Sequence, residues 1–125
     1  MGKIITCSLS GMKSYDADIK YFIVQRPGNV KVSGMIQRPD LAPNQDLFFW
    51  TQKNKHKENW FDEYTERFCY DMKNRTDLKA AIDALEVAAK DTVIMLVCFC
   101  SNVDMCHRGL IANELISRGI TVERY

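Results

Sequence analysis

Residues 92–97 run Thr-Val-Ile-Met-Leu-Val without alternation between apolar and polar positions. A strand with one face in water would alternate, so this run predicts a strand buried on both faces, the condition of a parallel sheet covered by helices. Helices to cover it are at hand. Spacing characteristic of a helix resumes at Leu47, Phe48 and Trp50, and Trp60, Tyr64, Phe68 and Met72 then recur at every fourth position, with Phe61 beside Phe68 as a core-facing stripe. Leu78, Ala81, Ile82, Leu85 and Ala88 form another apolar face, with Thr76 as its candidate N-cap. A last helix is expected to start near Asp104, turn Leu110, Ile111 and Leu115 inward, and stop at Gly119 in the C′ position. Lys3–Ser8 and residues 21–25 and 120–124 read as further strands, Pro27 closing the second. The expectation is one α/β domain over residues 1–125, with a mostly parallel sheet flanked by helices and residues 92–97 at its centre. Residues 29–46 lack periodicity and contain Pro39 and Pro43, and so read as a long connection, a candidate lid or partner surface.

Charge and cysteine count narrow the function classes. Seventeen Lys and Arg against sixteen Asp and Glu leave a net charge of +1, so no field over the whole protein draws it to nucleic acid or to an anionic membrane. The short basic cluster Lys53, Lys55, His56 and Lys57 reads as a solvated helix end, and neither specific nucleic-acid binding nor a membrane partner is expected. Five cysteines, an odd number with no secretory signal, predict free thiols and a cytoplasmic location.

The chemistry concentrates in residues 97–110, Val-Cys-Phe-Cys-Ser-Asn-Val-Asp-Met-Cys-His-Arg-Gly-Leu. Ligands of open parallel sheets sit beyond the carboxyl ends of the strands, where the following helix aims free N–H groups, so an anion site is the natural inference. Arg108 in the first turns of that helix opposes the helix dipole and calls for a compensating anion or buried acid. For Cys98, Cys100, Cys106 and His107 three readings stand side by side. As metal ligands they meet no usual zinc spacing, and no metal or cofactor is expected. As nucleophile and proton partner, Cys106 and His107 have the surroundings that lower a thiol pKa. As plain packing, Cys98 is a small buried hydrophobe and His107 bonds locally.

Residues 23–27 (Ile-Val-Gln-Arg-Pro), 41–44 (Leu-Ala-Pro-Asn), 60–64 (Trp-Phe-Asp-Glu-Tyr), and above all Leu96-Val97-Cys98 followed by Cys106-His107-Arg108, resemble the domain of unknown function 488 family. The resemblance extends over nearly the whole chain. It implies a small cytoplasmic α/β domain with a pocket around the Cys-His-Arg turn and the arginine after the second strand, and it supplies no activity. Where such proteins commonly carry an acidic residue two positions after the strand cysteine, this chain has Cys100. A thiol there replaces neither an acid–base group nor a carboxylate partner of the arginine, so binding without turnover is expected.

The function expected from sequence is therefore the binding of a small anionic molecule, phosphate-bearing or nucleotide-like, such as the sequestering of a nucleotide signal in phage counter-defence. Arg26 and Arg108 would hold its charge, and Ser8, Ser10 and His107 its polar groups. Cys98, Cys100, Asn102 and Cys106 would line the site, with Tyr64 or Trp50 to stack a base. The alternatives are a hydrolase or thiol-redox enzyme with Cys106 and His107 as catalytic residues, and a protein-interaction module docking through residues 29–46. Assembly into a homo-oligomer is left open.

Overall fold

The computed structural model describes every residue except Met1, residues 26–33 and Ser101. In chain order the strands are β1 (Lys3–Ser8), β2 (Ile19–Phe22), β3 (Met35–Gln37), β4 (Val93–Cys98) and β5 (Val122–Arg124), and the α-helices are α1 (Gln45–Asn54), α2 (Trp60–Asn74), α3 (Thr76–Ala88) and α4 (His107–Ser117). A 3-10 helix spans Leu9–Ser14, and single 3-10 turns stand at Pro39–Leu41 and Val103–Met105. The strands form one sheet in the order β3-β2-β4-β1-β5, and every pairing in it is parallel. The strand without alternation is the central one. Ile94 to Cys98 are all buried, as a strand with helices on both faces requires.

The helices meet the sheet through the faces read from their spacing. Tyr64, Phe68 and Met72 of α2 are buried, with Trp60 and Phe61 partly buried against the same core. Leu78, Ala81, Ile82 and Leu85 of α3 join them. Gly119 takes φ +84° after α4, the left-handed residue that lets Ile120 N–H return to the Leu115 carbonyl at 3.1 Å.

Four sequence expectations need correction. Residues 29–46 are more than a connection, because they contain β3, the Pro39–Leu41 turn and the start of α1. Three residues of edge strand are too short to display a period of two. The second strand is Ile19–Phe22, earlier than expected, while Ile23 and Val24 remain buried beyond its end. The N-cap of α3 is Arg75 rather than Thr76. Its guanidinium binds Asp77 and the carbonyls of Ala42 at 2.7 Å and Asp40 at 3.0 Å, fastening the Pro39–Leu41 turn to the helix start. Finally, α4 begins after Cys106, and Asp104 lies in the preceding 3-10 turn, its N–H held by the Asn102 side chain at 3.0 Å.

Because all strands run the same way, Ser8, Phe22, Cys98 and Arg124 end on one edge of the sheet. Among the described residues no helix is long and apolar enough to cross a membrane.

Candidate functional site: three thiols over a buried arginine

Cys98 is the last residue of β4, and Cys106 is the N-cap of α4. Both are buried, and their sulfurs stand 3.1 Å apart. Cys100, two residues after the strand, is exposed, and all three Sγ atoms lie within 4.8 Å of one another. The spacing of residues 98 and 100 contained this signal, since alternate positions of extended chain share a face.

Arg108 explains how the cluster is held. Its side chain has no exposure, yet among the described residues no Asp or Glu side chain bonds to it. Nη1 donates to the Cys98 sulfur at 3.0 Å, to the Cys100 carbonyl, and at 3.8 Å to the Cys106 sulfur, while Nη2 donates to the main-chain oxygen of Tyr125 at 3.1 Å. Nε has no partner. The compensation that the sequence demanded for this cation is thus supplied by sulfur and main-chain oxygen. A ligand above the thiols would feel the charge through them rather than touch the guanidinium.

Gly109 permits this seat. A Cβ there would stand 2.0 Å from the Val103 carbonyl oxygen, so only glycine lets the first turn of α4 press against the Val103–Met105 turn.

His107, the first residue of α4, is nearly buried, with Nε2 2.6 Å from the Ile23 carbonyl. A carbonyl only accepts, so Nε2 carries the proton and Nδ1 presents a lone pair, 3.7 Å from the Cys106 sulfur. Burial lowers the imidazole pKa, which keeps the ring neutral and able to take the Cys106 proton. The ring leans on Phe68, and Phe68 in turn stacks with Tyr64. Burial raises the Tyr64 pKa well above the ordinary phenol value, so the ring is a neutral wall.

The three thiols divide one charge unequally. The neighbouring Cys106 and Cys98 thiols, helped by the Arg108 guanidinium, hold Cys100 below the ordinary thiol range. Sharing the site with Cys100 pushes Cys98 and Cys106 up, and burial adds to the rise. Cys100 is therefore the most easily ionised sulfur of the three, with two buried thiols beside it.

A cleft of about 210 Å³ opens on this group, lined by Cys98, Cys100 and His107 together with the rings of Phe48, Tyr64 and Phe99. Among the described residues no Lys, Arg, Asp or Glu lines it. Phe48, Phe99 and Gln25 were not singled out from sequence, because nothing in their spacing separates a cleft wall from ordinary core.

The structure thus brings Cys98, Cys100, Cys106, His107, Arg108 and Tyr64 together. Ser8 and Ser10 bond each other at 3.0 Å and do not line the cleft. The Asn102 side chain is committed to its own turn. Arg26 lies outside the described residues.

Three converging sulfurs are also a donor set for a soft cation, which the sequence spacing did not suggest. Two thiolates on one tetrahedral zinc stand about 3.8 Å apart for Zn–S bonds of about 2.3 Å. Cys98 and Cys106 are closer, at 3.1 Å, and the Arg108 guanidinium already occupies the hydrogen-bonding space of both. The arrangement suits thiol chemistry better than a resident metal.

Residues 4–119 match the family described as DUF488-N3a, "Active DUF488-N3 subclade". No curated protein and no solved structure matches the chain.

Proposed function

The chain belongs to the DUF488 family, and from its thiol cluster we propose that it is a thiol-dependent enzyme in which Cys100 attacks a small, uncharged, flat substrate held between the aromatic walls of the cleft. The observation that carries this reading is the placement of one exposed cysteine beside two buried ones at a cleft without charged side chains among the described residues. Cys106, the nucleophile of the alternative enzyme reading from sequence, is 2% exposed and faces His107, so in this proposal its role is that of a supporting thiol with a proton acceptor at hand. Arg108 is a positioning residue: it fixes the two buried sulfurs and the Cys100 carbonyl from below. The family description "Active" agrees with turnover but names no reaction.

The test is labelling of the native protein by iodoacetamide at neutral pH, followed residue by residue. Cys100 is expected to react at least about tenfold faster than Cys69, whose thiol burial raises, and the fast phase should vanish in Cys100→Ser. Equal rates at the two cysteines would sink the reading.

A second reading, retention of a nucleotide-like molecule without turnover, draws on the same aromatic walls, since Phe99 and Tyr64 offer faces on which a base stacks. Its phosphate would have to be held by groups other than the sealed Arg108. A nucleotide that raises the melting temperature and is recovered unchanged would favour it.

A further inference from the structure

A nucleophilic thiol needs one sulfur, and a dithiol oxidoreductase needs two; this site has three, arranged from surface to core. The two buried sulfurs are already close to bonding distance. Cys98 and Cys106 stand 3.1 Å apart, about 1 Å beyond a disulfide bond length, with Arg108 donating to both and the Cys106 proton facing a free imidazole nitrogen. Cys100 alone reaches solvent. Such an order suits the entry of an oxidising equivalent at the surface and its storage beneath.

We infer that the substrate class is a small aromatic or otherwise uncharged disulfide, and that Cys100, Cys106 and Cys98 form a relay ending in a buried Cys98–Cys106 disulfide. The inference rests on the nucleophilic role proposed above for Cys100. In the first step the Cys100 thiolate attacks one sulfur of R–S–S–R′, a Cys100–S–S–R bond forms, and R′S⁻ leaves and takes a proton from water. In the second, Cys106 gives its proton to His107 Nδ1 and its sulfur attacks Cys100 Sγ. RS⁻ then leaves with that proton, and Cys100 and Cys106 are joined. In the third, Cys98 loses its proton to solvent and attacks Cys106 Sγ, and Cys100 departs as the thiolate it was at the start. The balance is one disulfide reduced to two thiols and one protein dithiol oxidised. An external dithiol, oxidised in its turn, resets the site.

The cleft supports this substrate class on two grounds. At about 210 Å³ it is smaller than the roughly 300 Å³ at which drug-sized pockets begin, so it takes one half of a small disulfide rather than a large cofactor. Its described lining has aromatic rings and neutral polar groups and no charged partner for a peptide disulfide such as oxidised glutathione. The relay also gives Cys100 a place that a carboxylate could not fill, since only a sulfur can pass the bond inward.

The experiment uses the full chain carrying Cys69→Ser, to silence the half-buried thiol outside the site, and one equivalent of dithiodipyridine, an uncharged aromatic disulfide whose thione is coloured. The expected result is two thiones released per protein, a product lighter by two hydrogens with no adduct, and resistance of that product to further labelling except at Cys100. Chymotryptic cleavage after Phe99 separates Cys98 from Cys100, and the Cys98 fragment should be found joined to Cys106. Cys106→Ala should stop at a pyridyl adduct on Cys100, and Cys98→Ala at a Cys100–Cys106 disulfide; either variant suffices if the other fails to fold. A stable one-thione adduct on wild-type Cys100 would overturn the relay while leaving the nucleophile in place. Reaction of Cys100 no faster than Cys69 in the parent chain would overturn both. Stoichiometric zinc that blocks all three thiols would overturn the relay as well.

Discussion

Arg108 donates from Nη1 to the Cys98 sulfur at 3.0 Å in a place that water does not reach. A guanidinium so placed has given up its hydration, and its return comes from four acceptors spread between β4, the loop after it and Tyr125. The planar fork can serve them together, which a lysine ammonium cannot. Arg108→Lys should therefore lower stability in urea by about 2–4 kcal/mol. It should also slow Cys100 alkylation at pH 6, because the thiols lose their common donor. An unchanged denaturation midpoint would mean that the guanidinium is not the fastening described.

Gly109→Ala places a Cβ 2.0 Å from the Val103 carbonyl oxygen, a main-chain atom that cannot swing aside. The loop between β4 and α4 must shift, and the loss should be about 2–4 kcal/mol in chemical denaturation. Because that loop bears Cys100, the fast labelling phase should fall with it. Ordinary stability together with ordinary labelling in the variant would contradict the close approach.

Much of this could be read in the sequence, and the reasons for the rest are specific. The run at 92–97 announced a doubly buried strand because its period was absent, and the every-fourth spacing from Trp60 to Met72 announced the face of α2 that covers it. The compensation owed to Arg108 was foreseen, but its source was not, since sulfur and carbonyl acceptors leave no mark comparable to an acidic residue. Cys100 read as a lost acid because its neighbours in space, Cys98 and Cys106, meet it only once the chain turns back into α4. β3 and the Pro39–Leu41 turn were hidden by their shortness.

Phe68 is fully buried and lies between the Tyr64 ring and the His107 imidazole. Phe68→Ala should cost about 3–5 kcal/mol through lost burial and the cavity left behind. Phe68→Leu should cost less, so that any effect on the thiol cluster can be measured in a folded protein. A loss below about 1 kcal/mol for the alanine variant would mean that the site collapses around the gap.

Two groups set the pH dependence of stability, each with its own window. Cys100 is held below its ordinary value of 9.0, so the unfolded chain binds a proton there that the folded chain does not, and stability rises with pH up to about 9. His107 is lowered from 6.5 by burial; its contribution is full above about pH 6.5 and is lost as pH falls toward the depressed value. Denaturation midpoints across pH 5–9 should therefore flatten above pH 7 in Cys100→Ser and only below pH 6.5 in His107→Gln. Identical profiles for the two variants would contradict these assignments.

The most direct measurement is the rate of Cys100 alkylation as a function of pH, resolved from the other cysteines by peptide. A thiolate already formed in the folded protein predicts a rate at pH 6 within about threefold of the rate at pH 8. An ordinary thiol would instead gain about tenfold per pH unit up to about pH 8.5, and that profile would contradict the account of the cluster.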